Sequence, residues 1–147
     1  MRILFGILFA GCGLLACKKE AAPTETTAVI GQAFDLAEQQ TTTLPAGGSS
    51  PLRVTLTQVH ESRCPTGVQC FLAGSVAVEV ELVDATATPQ LALIYRYDNV
   101  RPGYSRDSVS VVLNQQAYWL RLLDVTPYPS TTNGSQTKVA TLRLRPY

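Results

Sequence analysis

The chain has 147 residues, a formal net charge of +1 and 46% hydrophobic residues. So neutral a surface lacks the positive footprint that nucleic-acid binding requires, and it argues against generic adhesion to anionic lipid headgroups. With one histidine and four cysteines, His-based catalysis or metal binding has few residues to draw on.

The first twenty residues read MRILFGILFAGCGLLACKKE. Arg2 precedes an apolar run from Ile3 to Ala16, shorter than the roughly 20 apolar residues of a membrane-spanning helix. A charged start, a short apolar segment and small residues before a cut site describe an export signal. Leu14-Leu15-Ala16-Cys17 resembles the lipobox of bacterial lipoproteins, which implies cleavage before Cys17 and acylation of that cysteine. Stable anchoring generally takes more than one acyl chain, because each buried CH₂ contributes only about 0.8 kcal/mol. Phe9-Ala10-Gly11-Cys12 is a poorer version of the same box, so Cys12 is the alternative. Cys17 is preferred because the apolar run stops there and Lys18-Lys19-Glu20 begins the polar part. Lys18 is not the aspartate that retains many lipoproteins in the inner membrane. Cys-Lys-Lys-Glu resembles the start of Bacteroidota lipoproteins, which implies an outer-membrane location on either face.

Removal of Arg2 with the signal leaves acidic and basic side chains in balance. From Lys18 to Ala28 the composition is Ala, Thr and Glu with one Pro, too polar to bury a core, and it reads as a flexible tether. The expected organisation is a signal peptide at 1–16, a lipidated cysteine and tether at 17–30, and one folded domain at 31–147.

From Gly31 onward the dominant period is two. Val76, Val78, Val80 and Leu82 face one way while Ala77, Glu79 and Glu81 face the other, the signature of a strand with one dry and one wet face. Further strands are expected at Ala33–Leu36, Thr41–Leu44, Arg53–His60, Gln90–Tyr97, Ser108–Leu113, Tyr118–Val125 and Lys138–Arg145, separated by turn-rich segments such as PAGGSSP and TPYPSTTNGSQT. About eight short antiparallel strands without an amphipathic helix predict an all-β, immunoglobulin-like sandwich, with a small barrel as the alternative. Tyr95 and Tyr97 share a strand face. Tyr118 and Trp119 lie on opposite faces, so one of them is expected in the core.

SRCPTGVQC, residues 62 to 70, contains the two cysteines that remain after processing. Beyond the inner membrane the compartment is oxidising, so Cys64 and Cys70 are expected to form a disulfide. Closing so small a loop stabilises by roughly 2 kcal/mol in the chain-entropy model, so the bridge shapes the loop more than it holds the fold. A redox centre normally has two intervening residues and a helix N-terminus; here five intervene and no helix follows. A zinc site would have to combine His60, Cys64, Cys70 and a carboxylate such as Glu61, and the compartment favours the bridge over that set.

Glu61-Ser62-Arg63-Cys64-Pro65, Val68, Cys70 and Ala73-Gly74 resemble the (D/E)-S-R-C-P…V-x-C-x-W-A-G signature of a broad set of uncharacterised bacterial lipoproteins. Leu52–Val59 corresponds to their preceding strand, Tyr118–Pro129 resembles their L-x-x-V-x-P-Y-P ending, and Ala140–Leu144 fits their last strand. The resemblance implies a fold and a cell-envelope location, and no reaction. One departure stands out: Leu72 occupies the tryptophan position. If that tryptophan is a core anchor, leucine substitutes with some loss of packing; if it stacks on a ligand, this chain has lost it.

For chemistry, no nucleophile-elbow sequence accompanies His60, and nothing singles out two of Asp84, Asp98, Asp107 and Asp124 as a catalytic pair. Glu79 and Glu81 read as a solvated strand face. No enzyme activity, cofactor or metal is called for. Arg63 has two readings: a salt bridge to Glu61 or Asp124 that pins the loop, or an exposed anchor for a partner's acidic group. The segment DNVRPGYSRD, 98 to 107, offers Arg101, Tyr104 and Arg106 as a second contact surface. Asp107-Ser108-Val109 fits the short D-(S/T)-aliphatic pattern of Bacteroidota O-glycosylation. The expected function is a monomeric, membrane-tethered, non-catalytic module that binds an envelope protein, a peptide or a glycan. The alternative is an inhibitor-like module acting on an envelope or extracellular enzyme.

Overall fold

The computed structural model describes residues 26–46, 50–97 and 106–147. Among the described residues nine strands form two sheets: β1 (Thr26–Thr27), β2 (Ala33–Ala37), β3 (Thr41–Leu44), β4 (Leu52–Glu61), β5 (Ser75–Val83), β6 (Gln90–Tyr97), β7 (Ser108–Leu113), β8 (Gln116–Thr126) and β9 (Val139–Pro146). The first sheet has the order β1-β3-β4-β5-β6 and the second β2-β9-β8-β7. All pairings are antiparallel except the two-residue β1 against β3. The eight strands expected from alternation are present, most with ends one or two residues from those read in the sequence.

The architecture is the two-sheet sandwich expected, and the sheets do not close into a barrel. Connectivity is simple. β3 to β6 run as one meander, β7 to β9 as another, and β2 crosses over to cover the β9 edge. Strands β2, β4, β6 and β8 finish at one end of the sandwich, which carries the cysteine loop, and β1, β3, β5, β7 and β9 finish at the other.

Alternation determines the core. Leu52, Val54, Leu56, Val76, Val78, Val80, Leu82, Ala92 and Ile94 of the first sheet meet Leu36, Val111, Leu113, Tyr118, Leu120, Leu122, Val125, Ala140, Leu142 and Leu144 of the second, all buried. Truncating any of the fully buried leucines to alanine should cost about 2–5 kcal/mol. Tyr118 is the core member of its pair, at 4% exposure. Trp119 faces outward and stacks on Tyr147, with ring centroids 5.3 Å apart. Ala77 is the exception on the wet face of β5, buried because it sits in register between His60 and Tyr95, whose larger side chains flank it.

Two β-bulges break the alternation, one in each sheet. In β4 the register shifts between Leu56 and Gln58, so inward positions pass from Leu52, Val54 and Leu56 to Val59 and Glu61. In β8 it shifts between Leu122 and Asp124, and the inward series Tyr118, Leu120, Leu122 continues at Val125. The neighbouring turn stitches the first bulge. Gln39 donates its amide N–H to the Thr57 carbonyl, Thr57 Oγ1 donates to the Glu79 carbonyl at 3.0 Å, and Val59 N donates to Glu38 Oε1 at 3.0 Å.

The opposite end is held by Asp84. Its Oδ2 accepts from Asn114 N (2.7 Å) and its Oδ1 from Thr86 N (2.9 Å), while Asn114 Nδ2 donates to the Ser50 carbonyl at 2.9 Å. Three connections from both sheets are joined there. The hydrogen bonds from Thr86 and Asn114 hold the Asp84 carboxyl below the ordinary aspartate range.

Candidate functional site

The bulges decide what lies at the end of the sandwich that carries the cysteine loop. Without the extra residue in β4, Glu61 would fall on the outer face of the sheet. With it, Glu61 turns inward, and the chain continues into Arg63, whose side chain is 1% exposed. Arg63 Nε donates to Glu61 Oε1 (2.8 Å), Nη2 to Glu61 Oε2 (2.5 Å), and Nη2 also to the Val125 carbonyl at 3.0 Å. That carbonyl belongs to the residue just beyond the second bulge. The guanidinium lies 4.5 Å from the centroid of the Tyr128 ring, within cation–π range. Lys138 completes the group, its Nζ 3.3 Å from Glu61 Oε2 and donating to the Pro127 carbonyl at 2.7 Å.

Burial alone would raise the Glu61 pKa. Hydrogen bonds from the Arg63 side chain and backbone, the Arg63 charge and the Lys138 hydrogen bond outweigh it, and the carboxyl is held below the ordinary glutamate range. The planar bidentate fork is the geometry that arginine, and not lysine, supplies.

Beyond Arg63 the loop is a rigid frame. Cys64 and Cys70 are disulfide-bonded with Cα atoms 5.9 Å apart. Ser62 Oγ donates to the Ser75 carbonyl (2.7 Å), Cys64 N to the Ala73 carbonyl (2.9 Å), and Thr66 N to the Pro129 carbonyl (2.9 Å). Thr66 and Ser130 form a parallel bridge. Gly74 has φ +75°, and a Cβ there would lie 1.9 Å from the Ser62 carbonyl oxygen, so only glycine permits this closure. The cysteine loop and the segment 125–130 therefore meet as one interlocked unit.

What the loop presents is apolar. Phe71 is 101% exposed, Leu72 74% and Val68 48%. Leu72, at the tryptophan position of the resemblance, is a surface residue and not a core anchor.

The outer face of β6 is a second exposed apolar surface. Leu91, Leu93 and Tyr97 are exposed there, and Tyr95 and Tyr97 stack with centroids 6.4 Å apart. β6 is an edge strand, and Arg106 accepts from Tyr95 N through its carbonyl at 3.2 Å, which places that exposed arginine beside the tyrosine pair.

The residues singled out from sequence fare differently. Arg63 pairs with Glu61 and not Asp124. It is an internal fastener, which corrects its reading as an exposed anchor. Asp107 is buried and pairs with Arg121, Nε to Oδ2 at 3.0 Å. The His60, Glu61, Cys64, Cys70 ligand set does not assemble: both thiols are in the bridge, Glu61 turns inward, and His60 Nε2 meets Glu79 Oε1 at 2.9 Å on the outer face. Cys12, Cys17, Arg101 and Tyr104 lie outside the described residues. The apolar face of β6 and the Phe71–Leu72 tip were missed, because isolated apolar residues in a strand or loop read as core. The signal for β6 was available: Leu91, Leu93, Tyr95 and Tyr97 occupy the same face at period two, opposite Ala92 and Ile94.

No protein-family model, curated protein or solved structure matches the chain.

Proposed function

We propose that the chain is a lipoprotein anchored through Cys17 to the bacterial outer membrane, related to the uncharacterised lipoproteins it resembles. Its non-catalytic β-sandwich binds a protein, peptide or glycan through the outer face of β6. One observation carries the binding reading: an edge strand exposes Leu91, Leu93 and Tyr97 in a row, with a stacked tyrosine pair and Arg106 at one end. Edge strands are ordinarily blunted by charge or proline, so an apolar, aromatic edge is the kind of surface a partner covers. Tyr and Arg are the residue types that dominate contact energies. The buried ionic group gives the non-catalytic reading its support. Glu61, Arg63 and Lys138 satisfy one another and adjacent carbonyls, so the converging charges at that end are committed to structure.

The test is capture of partners from envelope extract with the wild-type chain, Leu93→Asp and Tyr97→Ala. Loss of one reproducible partner in both variants, with circular dichroism unchanged, is the expected outcome; identical capture by all three refutes the β6 site. The inhibitor reading puts the contact at the rigid, convex Cys64–Cys70 tip instead, and it predicts loss with Phe71→Ser while Leu93→Asp still binds. Palmitate-analogue labelling tests the anchor: label in wild type and none in Cys17→Ser is expected, and label retained in Cys17→Ser moves the site to Cys12.

A further inference from the structure

We propose that the Phe71–Leu72 tip of the disulfide loop inserts into the lipid surface that holds the chain's own anchor, fixing the orientation of the sandwich on the membrane. The inference rests on the lipoprotein reading above and adds a second, non-covalent contact to it.

Three independent observations converge. The first is the tip itself. Phe71 is fully exposed, Leu72 largely so, and Val68 of the same loop about half. The bridge, the Cys64 N to Ala73 carbonyl hydrogen bond and the close passage of Gly74 past Ser62 hold the loop's two limbs together.

The second is the lack of charge in the loop and in the connection that adjoins it. Between Ser62 and Gly74 the only Asp, Glu, Lys, Arg or His is Arg63, which is buried. Between Pro127 and Thr137, the adjoining connection, there is none. Hydroxyls, amides and one half-exposed tyrosine, Tyr128, make up this rim. These two segments can enter the headgroup region without stripping water from an exposed ion of their own, the step that makes charged loops costly there. Tyrosine is also a favoured side chain at that depth.

The third is where the chain enters. β1 runs parallel to β3, with Thr26 opposite Thr42 and Thr27 opposite Thr43. The polypeptide therefore reaches β1 from the end where β3 begins, and that is the end that carries the cysteine loop. Thr42 lies opposite Val54, and from Val54 to Glu61 the strand rises about 20 Å toward the loop. Thr26 stands nine positions after Cys17 in the sequence, a reach of about 30 Å when fully extended. An anchor at Cys17 and the tip of the loop can therefore lie at one level. A weak apolar contact suffices in that arrangement, because the anchor makes it intramolecular and keeps the effective lipid concentration high.

A tryptophan reporter reads the contact directly. The lipidated full chain, with Trp119→Phe to remove the native signal, carries Leu72→Trp and is reconstituted in phosphatidylethanolamine–phosphatidylglycerol vesicles. Phe71→Trp is a second reporter and Val112→Trp, exposed on β7 toward the opposite end, is the control. The expected result is blue-shifted emission at positions 72 and 71, strong quenching by acyl-brominated lipid and several-fold lower access to iodide, with position 112 in water throughout. Flotation of the chain with vesicles while both tip reporters stay water-exposed and unquenched overturns the inference and leaves the anchor standing. Absence of palmitate label and of flotation refutes the anchor and the inference with it. Tip reporters shielded only on addition of envelope protein, and insensitive to bromolipid, also overturn it and assign the tip to a protein partner.

Discussion

Replacing Arg63 with alanine should be among the most damaging single changes outside the apolar core. The substitution removes both arms of the fork on Glu61, leaves the Val125 carbonyl without its guanidinium donor, and strips the cation from Tyr128. Breaking a buried ion pair by deleting one partner costs roughly 3–5 kcal/mol, because the surviving charge stays desolvated. Glu61 retains Lys138 at 3.3 Å and some solvent, which puts the expected loss near the lower bound, about 3 kcal/mol. For a domain of this size that lowers the melting temperature by about 10–15 °C. Urea unfolding followed by Trp119 emission reads it directly, since Trp119 stacks on Tyr147 in the folded chain. Arg63→Lys should recover only part of the loss, because an ammonium restores charge and not the two-pronged geometry. A double-mutant cycle with Glu61→Gln should show strong coupling. A loss below about 1 kcal/mol for Arg63→Ala, the range of an exposed pair, would refute the reasoning.

Gly74→Ala combines a left-handed backbone with a Cβ 1.9 Å from the Ser62 carbonyl oxygen and should cost at least about 3 kcal/mol or prevent folding. Gly67→Ala shares the positive φ but meets nothing within 4 Å, so the strain alone, about 1 kcal/mol, is expected in the same thermal melt. Equal effects at the two glycines would show that the close passage at Gly74 is unimportant. In acid the sign follows from Glu61: its folded pKa lies below the unfolded one, so its contribution is complete above the ordinary glutamate range. That contribution is lost as pH falls through the folded value, and Glu61→Gln should flatten the acid limb of a stability–pH profile; an unchanged limb contradicts the assignment.

The strands were legible because a half-buried strand writes its geometry into the chain at period two, as Val76 to Leu82 does. A bulge is invisible to that rule. Thr57 and Leu123 look like ordinary strand residues, yet each moves every later side chain to the other face. Period two carried unbroken through Thr57 would put Glu61 on the outer face, whereas it is the inward partner of Arg63. The pairing itself was half legible. A carboxylate two residues before the arginine was one of two partners weighed, and only the second bulge, which brings the Val125 carbonyl alongside, explains why Asp124 is not the one. Exposure of Phe71 and Leu72 was beyond the sequence, because hydrophobicity carries no record of whether a loop has room to bury it.

Each end of the sandwich has a carboxylate that joins its segments: Glu61 where β4 and β8 converge, Asp84 where three connections meet. Among the described residues, the apolar core between them contains no carboxylate, histidine, lysine or arginine. Acid below the ordinary carboxylate range, where Glu61 and Asp84 take up protons, should therefore loosen the protein from its ends inward. Amide hydrogen exchange would quicken first in the last residues of β4 and in the turns at Asp84 and Asn114, while the middle of β5 and of β8 keeps the protection of the intact fold.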